Sequence, residues 1–538
     1  MSADPVDLLV MGAGINGTGI ARDAAMRGIR TALVDKGDFG SGTSGQSSRL
    51  IHGGLRYLEM RHFHLVFEAS RERRTLLRIA PHLVWPRSFI FPIHDGGRIP
   101  LWKLWAGLTL YDLLALFRNV RRHRMLSKQR VLKAEPHLRS RGLKGGGRYF
   151  DAQCDDARLT LANAKSAHQH GALVANYVVV DAFEPADGRI RRVRVTDRVT
   201  GASYTIRAKV VVNATGPWSD ILRAKDGNAE PVLRLTKGVH VAVPMTRLGN
   251  NEALALTSPI DGRVMFIIPW GELSYIGTTD TDDDVDPNLA RATADDVIYL
   301  LRSANAFFPE ARLSPDDVVS TWAGIRPMVA QADGIDPSAV SREHRILESQ
   351  SGVISLVGGK LTTYRAMAEE VVDLVAAKLH KIDGRAHHGR APTDTEPLPG
   401  GDTHDLGVIL QEVIREGFSR STGTHLVRAY GTETAAVLNL AASNPTLAEP
   451  IVAGHPAIKA ELVHAIRREM AITLTDLLMR RLHIFYEVIG HAVPELGFVV
   501  DLAGEELGWD AGRKASELAA YLQVIQDAMA FRDDLRAG

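Results

Sequence analysis

The sequence predicts a mixed α/β protein, and the first 35 of its 538 residues carry the main evidence. Residues 6–11 form a short apolar strand that continues into the glycine-rich turn 12–17, and residues 15–27 have a helical pattern that ends at Gly28. A second apolar strand covers residues 30–35. A strand, a glycine turn, a helix and a second strand form the βαβ unit of a parallel sheet, as in Rossmann-like domains.

The turn GAGING matches the G-x-G-x-x-G fingerprint of dinucleotide sites. Gly12 permits the tight turn, Gly14 lets the backbone approach a pyrophosphate, and Gly17 lets the helix pack closely on the sheet. Asp35 ends the second strand and can accept hydrogen bonds from ribose hydroxyls, which disfavours a 2′-phosphate. The predicted nucleotide contacts of this unit are Gly12, Gly14, Ile15, Asn16, Gly17, Asp35 and Lys36.

Composition describes a globular chain of several domains. The apolar share of 45% and the charged share of 24% are ordinary, and a net charge of +1 gives no global field that would attract nucleic acid. The single cysteine, Cys154, excludes an internal disulfide and a CxxC pair. His387 and His388 lack further ligand spacing, so no metal site is expected.

The N-terminus lacks a signal-peptide pattern, and no apolar run reaches the roughly 18 residues of a membrane span.

Three further segments place backbone N–H groups where strands end, namely residues 42–54, 211–220 and 357–365. A flavin ring needs such donors near N1 and C2=O, because negative charge develops there on reduction. These segments favour FAD over NAD. The predicted FAD contacts outside the first unit are Thr43, Ser44, Ser47, Ser48, His52, Gly53, Gly54, Val178, Ala214, Thr215, Gly216, Gly359, Lys360, Leu361 and Thr362.

A series of motifs follows in order over roughly residues 1–385: TSGQSSRLIHGGLRYLE, DARL, NATGPW, KGVH, FIIPW, IGTTD, AGIRP and GGKLTTYR. Together they resemble the FAD-dependent glycerol-3-phosphate dehydrogenases of respiratory chains. ATG alone is shared by many flavin amine oxidases, whereas HGGLRYLE together with GGKLTTYR is specific. The resemblance extends into the C-terminal region through AIRREMAITLTDLLMRR.

The resemblance implies a glutathione-reductase-like FAD fold of the D-amino-acid-oxidase type, a β-sheet cap domain that binds substrate, and a C-terminal helical domain. We therefore expect FAD-binding parts at about 1–75, 150–230 and 345–385, cap parts at about 76–149 and 231–344, a linker at 386–402 and a helical domain at 403–538. In the C-terminal region, Val463, Ile466, Met470, Leu474 and Leu477 have the spacing of one helix face.

The resemblance also implies a reaction. The substrate would be sn-glycerol 3-phosphate, the product dihydroxyacetone phosphate, and the electron acceptor a membrane quinone. The protein would be cytoplasmic, attached peripherally to the inner face of the cell membrane, and a homodimer is expected. Because Cys154 lies away from the glycine loops, the FAD is expected to be bound non-covalently.

A phosphate monoester needs fixed cations, and the family motifs offer Arg56, Arg326 and Lys360. Arg56 and Arg326 lie in glycine-flanked apolar stretches, where an unpaired charge would be costly. Hydroxyl groups can add hydrogen bonds to the substrate. The predicted substrate contacts are Arg56, Tyr57, Thr279, Arg326, Lys360 and Thr362.

Oxidation of a secondary alcohol also requires a proton acceptor, while flavin N5 takes the hydride. A neutral imidazole suits this role near pH 7. His240 is the preferred candidate, because it lies on a strand-like segment after KG, and His52 is an alternative. Lys360 or an arginine-activated water are further alternatives. The predicted catalytic residues are His240, Arg326 and Lys360.

Residues 101–124 combine aromatic and apolar side chains, including Trp102 and Trp105, with an arginine-rich end. The segment is too short to span a bilayer, and Lys103 and Asp112 interrupt it. This pattern is typical of a helix at a membrane interface. The alternative is a helix packed in the core or in a dimer interface.

Three rival functions remain compatible with the motifs. A glycerol-3-phosphate oxidase would have the same substrate site and would pass electrons to O₂. An amine or amino-acid oxidase would share the FAD fold, although the cations of HGGLRY and GIRP suit phosphate better. A flavin-binding scaffold would retain FAD without turnover.

Overall fold

The computed structural model describes residues 5–54, 58, 62–116, 119–186, 189–282, 286–330, 343–384, 389–403 and 405–537. Within these ranges the chain forms two β-sheets, helices that pack on them, and a C-terminal region built of helices. The predicted mixed α/β fold class is confirmed.

The strands are β1 Val6–Met11, β2 Thr31–Val34, β3 Leu50–Ile51, β4 Val84–His94, β5 Arg124–Ser127, β6 Leu143–Cys154, β7 Leu173–Ala175, β8 Val178–Ala186, β9 Arg189–Asp197, β10 Ser203–Asn213, β11 Leu233–Pro244, β12 Ala253–Thr257, β13 Val264–Trp270, β14 Leu273–Gly277, β15 Thr281–Asp282, β16 Ser320–Val329, β17 His344–Glu348 and β18 Ile354–Gly358.

The α-helices are α1 Ile15–Met26, α2 Phe63–Ile79, α3 Leu101–Leu114, α4 Lys128–Ala134, α5 Asp156–Gln169, α6 Ser219–Lys225, α7 Met245–Leu248, α8 Ala294–Phe307, α9 Tyr364–Asp383, α10 Leu406–Arg415, α11 Arg420–Tyr430, α12 Thr434–Ser443, α13 Lys459–Glu469, α14 Ile484–Glu487, α15 Leu496–Leu507, α16 Ala511–Met529 and α17 Phe531–Ala537.

The first sheet has the order β17-β18-β10-β1-β2-β7, and the strands from β18 to β7 run parallel. Its strands β1, β2 and β18 are buried on both faces, as is typical of parallel sheets. Because the carboxyl ends of parallel strands meet at one edge, four loop residues lie there together. They are Gly12, Asp35, Ala214 and Gly359.

The second sheet has the order β15-β11-β14-β13-β12-β4-β6-β3, with β16 added to β11 and β5 to β6. On β11, Val239, Val241 and Val243 are fully buried in a core that includes α8 residues. Since successive side chains of a strand face opposite sides, Gly238 and His240 face away from that core. This places them on the side of the second sheet that faces the domain built on the first sheet.

Two sequence-based expectations were wrong in detail. Residues 175–180 have the apolar pattern of one strand, but the strand is split, because β7 ends at Ala175 and β8 begins at Val178. Tyr177 adopts a left-handed φ of 57°, and its hydroxyl donates to Asp476 Oδ1 at 2.7 Å. Asn176 Nδ2 donates to the Met470 carbonyl at 3.0 Å. These contacts with the C-terminal region hold the chain in a turn.

The helix expected to carry residues 463–477 on one face is also broken. Helix α13 ends at Glu469, and Met470 adopts a left-handed φ of 55°. A buried carboxylate starts a new turn there, since Asp476 Oδ2 accepts the N–H groups of Ile472 at 2.9 Å and Thr473 at 3.1 Å. Local apolar spacing could not reveal this tertiary contact.

Buried ion pairs join the C-terminal region to the nucleotide-binding part. Arg158 on α5 donates to Glu469 at 2.8 Å, and both side chains are at most 5% exposed. Arg481 donates to both carboxylate oxygens of Asp38 at 2.7 and 3.0 Å. The C-terminal region is therefore anchored by charges that water does not reach.

Replacing Arg158 by methionine is expected to lower the free energy of unfolding by about 3 kcal/mol, because Glu469 would keep its buried charge without its nearest partner. Denaturant unfolding measures this change. The matched control is Arg467→Met, which removes a surface pair with Glu506 and should cost less than about 1 kcal/mol. Equal effects of the two variants would show that the buried pair does not anchor the domains.

The described part of the predicted linker has no helix or strand, yet it is packed. Ala391, Thr393 and Leu398 are buried, and Arg22 donates to the carbonyls of Thr393 at 3.2 Å and Glu396 at 2.8 Å. The segment is therefore held against the domain that contains the first sheet. The domain boundaries themselves stay predictions.

Candidate active site

A cavity of about 470 Å³ lies at the carboxyl edge of the first sheet and is also lined by the second sheet. This volume falls in the range of cofactor and small-molecule sites, roughly 300–1,000 Å³. The predicted cofactor residues that line it are Gly12, Gly14, Ile15, Asn16, Asp35, Lys36, Thr43, Ser44, Ser47, Ser48, His52, Val178, Ala214, Thr215, Gly216, Gly359, Lys360, Leu361 and Thr362.

The glycine turn at the cavity has no room for side chains. Gly12 has a left-handed φ of 98°, and a Cβ there would lie 2.6 Å from the Ala214 carbonyl oxygen. A Cβ on Gly17 would lie 1.7 Å from the Gly12 carbonyl oxygen. Gly14 caps α1, whose N-terminus therefore opens onto the cavity, and the Ile15 N–H donates to Ser44 Oγ at 2.9 Å. The positive end of the helix can receive phosphate oxygens.

Asp35 lies at the cavity rim beside this turn. Its carboxylate accepts the Ala13 N–H at 2.5 Å and the Gly37 N–H at 2.8 Å. Burial raises the pKa of Asp35 to about 6, although these two N–H donors act in the opposite direction. The two N–H donors hold the carboxylate in place, and its oxygens keep lone pairs that can accept hydrogen bonds from ribose hydroxyls.

Some buried polar atoms of cavity-lining residues have no hydrogen-bond partner in the described part of the protein. They include Asn16 Oδ1, Trp218 Nε1 and His240 Nδ1. An unpaired buried polar atom costs about 1–3 kcal/mol, which a hydrogen bond from a polar ligand in the cavity would offset. Lys36 Nζ lies 3.8 Å from the Trp218 ring centroid and brings a positive charge to the same wall. These features fit a bound anionic dinucleotide.

His240 is buried at the cavity wall in the second sheet. Its Nε2 lies 2.8 Å from Ser48 Oγ, and its ring stacks on Trp322 with centroids 4.9 Å apart. Gly277 lies opposite on β14, where a Cβ would approach the imidazole to 2.0 Å. Burial, reinforced by the charges of Arg326 and Arg49, holds the pKa of His240 well below its usual value. The imidazole is therefore neutral at pH 7.

Arg326 lies on the same face of the sheet. Its guanidinium donates to Thr278 Oγ1 at 2.8 Å and to Asp280 Oδ1 at 3.0 Å. It extends over Gly238, since a Cβ there would lie 2.0 Å from Nη2. Gly238 pairs with Gly324, and His240 pairs with Trp322 one step along the same face. Gly238 thus leaves room for the guanidinium, and Gly324 leaves room for the Gln46 carbonyl oxygen, which a Cβ there would approach to 2.7 Å.

Other predicted residues lie elsewhere. Gly17, Gly53, Gly54 and Thr279 are not among the residues that line the cavity. The Thr279 hydroxyl instead accepts the Val239 N–H at 3.0 Å. Arg56 and Tyr57 lie outside the described residues. Their predicted roles stay predictions, as does that of Lys360, which lines the cavity before the short 3₁₀ turn Leu361–Thr363.

Several lining residues were not predicted from the sequence, including Gln46, Trp218, Met328 and Glu343. Trp218 lies in the motif NATGPW, so its position was visible, but its contact with Lys36 was not. Met328 and Glu343 carry no local signal, because strand pairing brings them to the cavity. Among the described residues, no group of three or more His, Cys, Asp or Glu side chains could hold a metal ion.

Comparison with known proteins agrees with this geometry. A family model described as FAD dependent oxidoreductase matches residues 7–374, and one described as the C-terminal domain of alpha-glycerophosphate oxidase matches residues 391–514. The aerobic glycerol-3-phosphate dehydrogenase of Staphylococcus haemolyticus is 38% identical over 88% of this chain and 86% of its own length. The glycerol-3-phosphate dehydrogenase of a Synechocystis species is 37% identical over 97% and 96%.

A solved structure shows the same fold. The glycerol-3-phosphate dehydrogenase from Bacillus halodurans, complexed with FAD, superposes with a TM-score of 0.82 at 34% identity, over 98% of this chain and 96% of that one. FAD is therefore the cofactor of this chain. The protein belongs to the aerobic glycerol-3-phosphate dehydrogenase family of FAD-dependent oxidoreductases.

Proposed function

We propose that the protein oxidises sn-glycerol 3-phosphate to dihydroxyacetone phosphate and passes the electrons from FAD to a membrane quinone. The observation that carries the substrate assignment is that a cation, Arg326, and a neutral imidazole, His240, line the cavity together on one face of the second sheet. The names of the relatives support the same substrate. Bound FAD would supply the acceptor for the hydride that leaves C2 of the alcohol.

The separation between Arg326 and His240 suits a three-carbon phosphate. One pair of residues along a strand spans about 6.6 Å, so the guanidinium above Gly238 lies one such step from His240. Arg326 binds the phosphate through charge-assisted hydrogen bonds and, with Lys360, neutralises the dianion. The C2 hydroxyl then lies toward His240.

His240 accepts the proton of that hydroxyl. Its neutral state at pH 7 follows from burial and from the neighbouring arginines. Ser48 Oγ, 2.8 Å from Nε2 and itself at the cavity, holds the ring in place and can relay the proton. When phosphate binds to Arg326 it offsets a positive charge that disfavours the imidazolium, so substrate binding strengthens the base.

The binding of FAD to the apoprotein is expected to weaken as the pH falls below about 6. Asp35 titrates near pH 6 in the absence of cofactor, and its protonated form accepts ribose hydrogen bonds poorly. The dissociation constant should rise by up to about tenfold per pH unit below that point. Equilibrium dialysis between pH 5 and 8 measures it, and Asp35→Asn should remove this slope. A flat wild-type curve would contradict the role of Asp35.

The membrane proposal rests on helix α3. Leu104, Leu108 and Tyr111 are buried, whereas Trp102 is 69% exposed and Trp105 is 54% exposed. Exposed apolar side chains of α3, of the residues after it and of the contacting helix α2 include Phe63, Phe67, Trp102, Trp105, Leu113, Leu116 and Val120. Exposed Lys103, Arg121, Arg122 and Arg124 lie in the same segment as α3. Aromatic side chains beside arginines suit the interface of an anionic bilayer.

No helix in the described ranges is long and apolar enough to cross a bilayer. We infer peripheral attachment at the cytoplasmic face. Sedimentation with anionic vesicles tests it: Trp102→Ser with Trp105→Ser should release the protein, and the surface variant Arg247→Met should not. If the double variant instead dissociates a dimer without changing vesicle binding, this surface is a subunit interface.

The identity of the electron acceptor is tested by reoxidation of the reduced flavin. The protein is reduced anaerobically with substrate and then mixed with a ubiquinone analogue or with air-saturated buffer. We expect the flavin absorbance to return faster with the quinone. Faster return with air and stoichiometric hydrogen peroxide would identify an oxidase. Reduction by amino acids but not by sn-glycerol 3-phosphate would identify an amino-acid oxidase, and retained FAD without reduction a scaffold.

A further inference from the structure

Arg49 is buried within a cage of three aromatic rings. Its guanidinium carbon lies 4.2 Å from the ring centroid of Trp270, 4.9 Å from that of Tyr486 and 5.3 Å from that of Trp322. Its Nε lies 3.9 Å from Asp156 Oδ1. Tyr486 belongs to α14 in the C-terminal region, whereas the other rings belong to the second sheet. The cage is therefore closed by a residue more than 400 positions away in the chain.

The cage around Arg49 shares one residue, Trp322, with the side chains that pack on His240. Trp322 stacks on the imidazole with an interplanar angle of 10°, and its Nε1 donates to the Ser47 carbonyl at 3.1 Å. The Tyr275 hydroxyl donates to the Ser48 carbonyl at 2.8 Å. The backbone that presents Ser48 to His240 is thus held from two strands.

Arg49 itself has a left-handed φ of 53°, an unfavourable conformation for a residue with a Cβ. Its side chain must be held firmly for this backbone to persist, and the aromatic faces supply cation–π contacts that do so. Ser48, whose Oγ lies 2.8 Å from His240 Nε2, directly precedes Arg49 in the chain. Tyr486 also fixes the neighbouring loop, since Gln46 Nε2 donates to its hydroxyl at 3.3 Å.

We propose that Arg49 and Tyr486 are positioning residues for the reaction: Tyr486 closes the cage on Arg49, and the cage fixes Ser48 and Trp322 against His240. This inference rests on the proposed function for its kinetic consequence, because His240 is there the proton acceptor. It gives the C-terminal region a part in building the active site. Without α14, the loop that carries Ser48 would lose the contacts that Tyr486 makes with Arg49 and Gln46.

The charges around His240 set the expected pH dependence. Arg326 faces it from β16 and Arg49 from the loop before β3, with Asp280 beside Arg326 and Asp156 beside Arg49. The phenol of Tyr275 faces it from β14. Arg49→Met removes one of the two positive charges, so the pKa of His240 should rise. The acid limb of kcat/KM should move to higher pH.

The experiment compares holoenzymes with Arg49→Met, Tyr486→Leu and Tyr486→Phe. Arg49→Met and Tyr486→Leu should keep FAD while the rate of flavin reduction by substrate falls roughly tenfold. Tyr486→Phe keeps the ring and should stay within a factor of about two of the wild-type rate. Val437→Ala is the control, because it removes buried apolar volume of the C-terminal region from a core that contains no residue of the second sheet.

A second measurement separates this inference from the proposed function. In protein with labelled histidine, the ring signal missing in His240→Asn identifies His240. Arg49→Met and Tyr486→Leu should shift that signal, and Val437→Ala should not. An unshifted signal overturns the positioning role. If the signal shifts but His240→Asn reduces flavin at the wild-type rate, the cage holds His240 as inferred and the assignment of the base is wrong.

Discussion

Replacing Arg326 by methionine is expected to lower kcat/KM for sn-glycerol 3-phosphate by about a hundredfold while FAD stays bound. The variant loses two charged hydrogen bonds to the phosphate, each worth about 1.5 kcal/mol, and tenfold in rate corresponds to 1.36 kcal/mol. The guanidinium lies at the second sheet and not at the glycine turn, so the cofactor contacts are preserved. Anaerobic stopped-flow reduction measures the change.

Two further variants control this result. Arg326→Lys keeps a point charge but not the planar pair of donors, so its rate should lie between wild type and Arg326→Met. Arg247→Met removes an exposed arginine that pairs with Asp317 at 2.6 Å, and it should leave the rate unchanged. If Arg326→Met retained the wild-type kcat/KM, the phosphate would have to bind elsewhere.

Replacing Gly17 by alanine is expected to raise the dissociation constant of FAD by about a hundredfold. The new Cβ would lie 1.7 Å from the Gly12 carbonyl oxygen, and both partners are backbone, so the turn itself must move. Such overpacking costs about 3 kcal/mol, and each 1.4 kcal/mol is a factor of ten in affinity. The ratio of flavin to protein after purification, followed by titration of the apoprotein, measures the loss.

Gly107 provides the matched control for this variant. It lies within helix α3, and a Cβ there would have no other atom within 4 Å. Gly107→Ala should therefore bind FAD normally. If Gly17→Ala also bound FAD with wild-type affinity, the close approach of α1 to the turn would not be a requirement of the cofactor site.

The nucleotide-binding turn could be predicted because its requirements are local. The spacing of Gly12, Gly14 and Gly17 and the position of Asp35 are fixed by one strand, one turn and one helix. Residue type and order are sufficient there. The structure places Asp35 beside the turn, hydrogen-bonded to the Ala13 N–H.

The substrate side of the cavity could be predicted only in part. His240 and Arg326 could be named as candidate catalytic residues from the sequence. Their positions relative to each other depend on the register of β11 with β16. The roles of Gly238 and Gly277 as gaps for an arginine and an imidazole follow from that register and from no local pattern.

The C-terminal region was the least predictable. The apolar spacing favoured one helix through Met470, yet buried contacts of Asp476 break it there. Tyr486 carries no motif that connects it to Arg49. Contacts between residues several hundred positions apart are set by how whole domains pack, and a single sequence contains no direct record of that packing.

The most direct test of the account is an anaerobic visible spectrum of the purified protein before and after addition of sn-glycerol 3-phosphate. The account predicts a yellow flavin spectrum that bleaches with this substrate and does not bleach with glycerol, which lacks the phosphate that Arg326 binds. A flavin that stays fully oxidised with sn-glycerol 3-phosphate would contradict the proposed substrate.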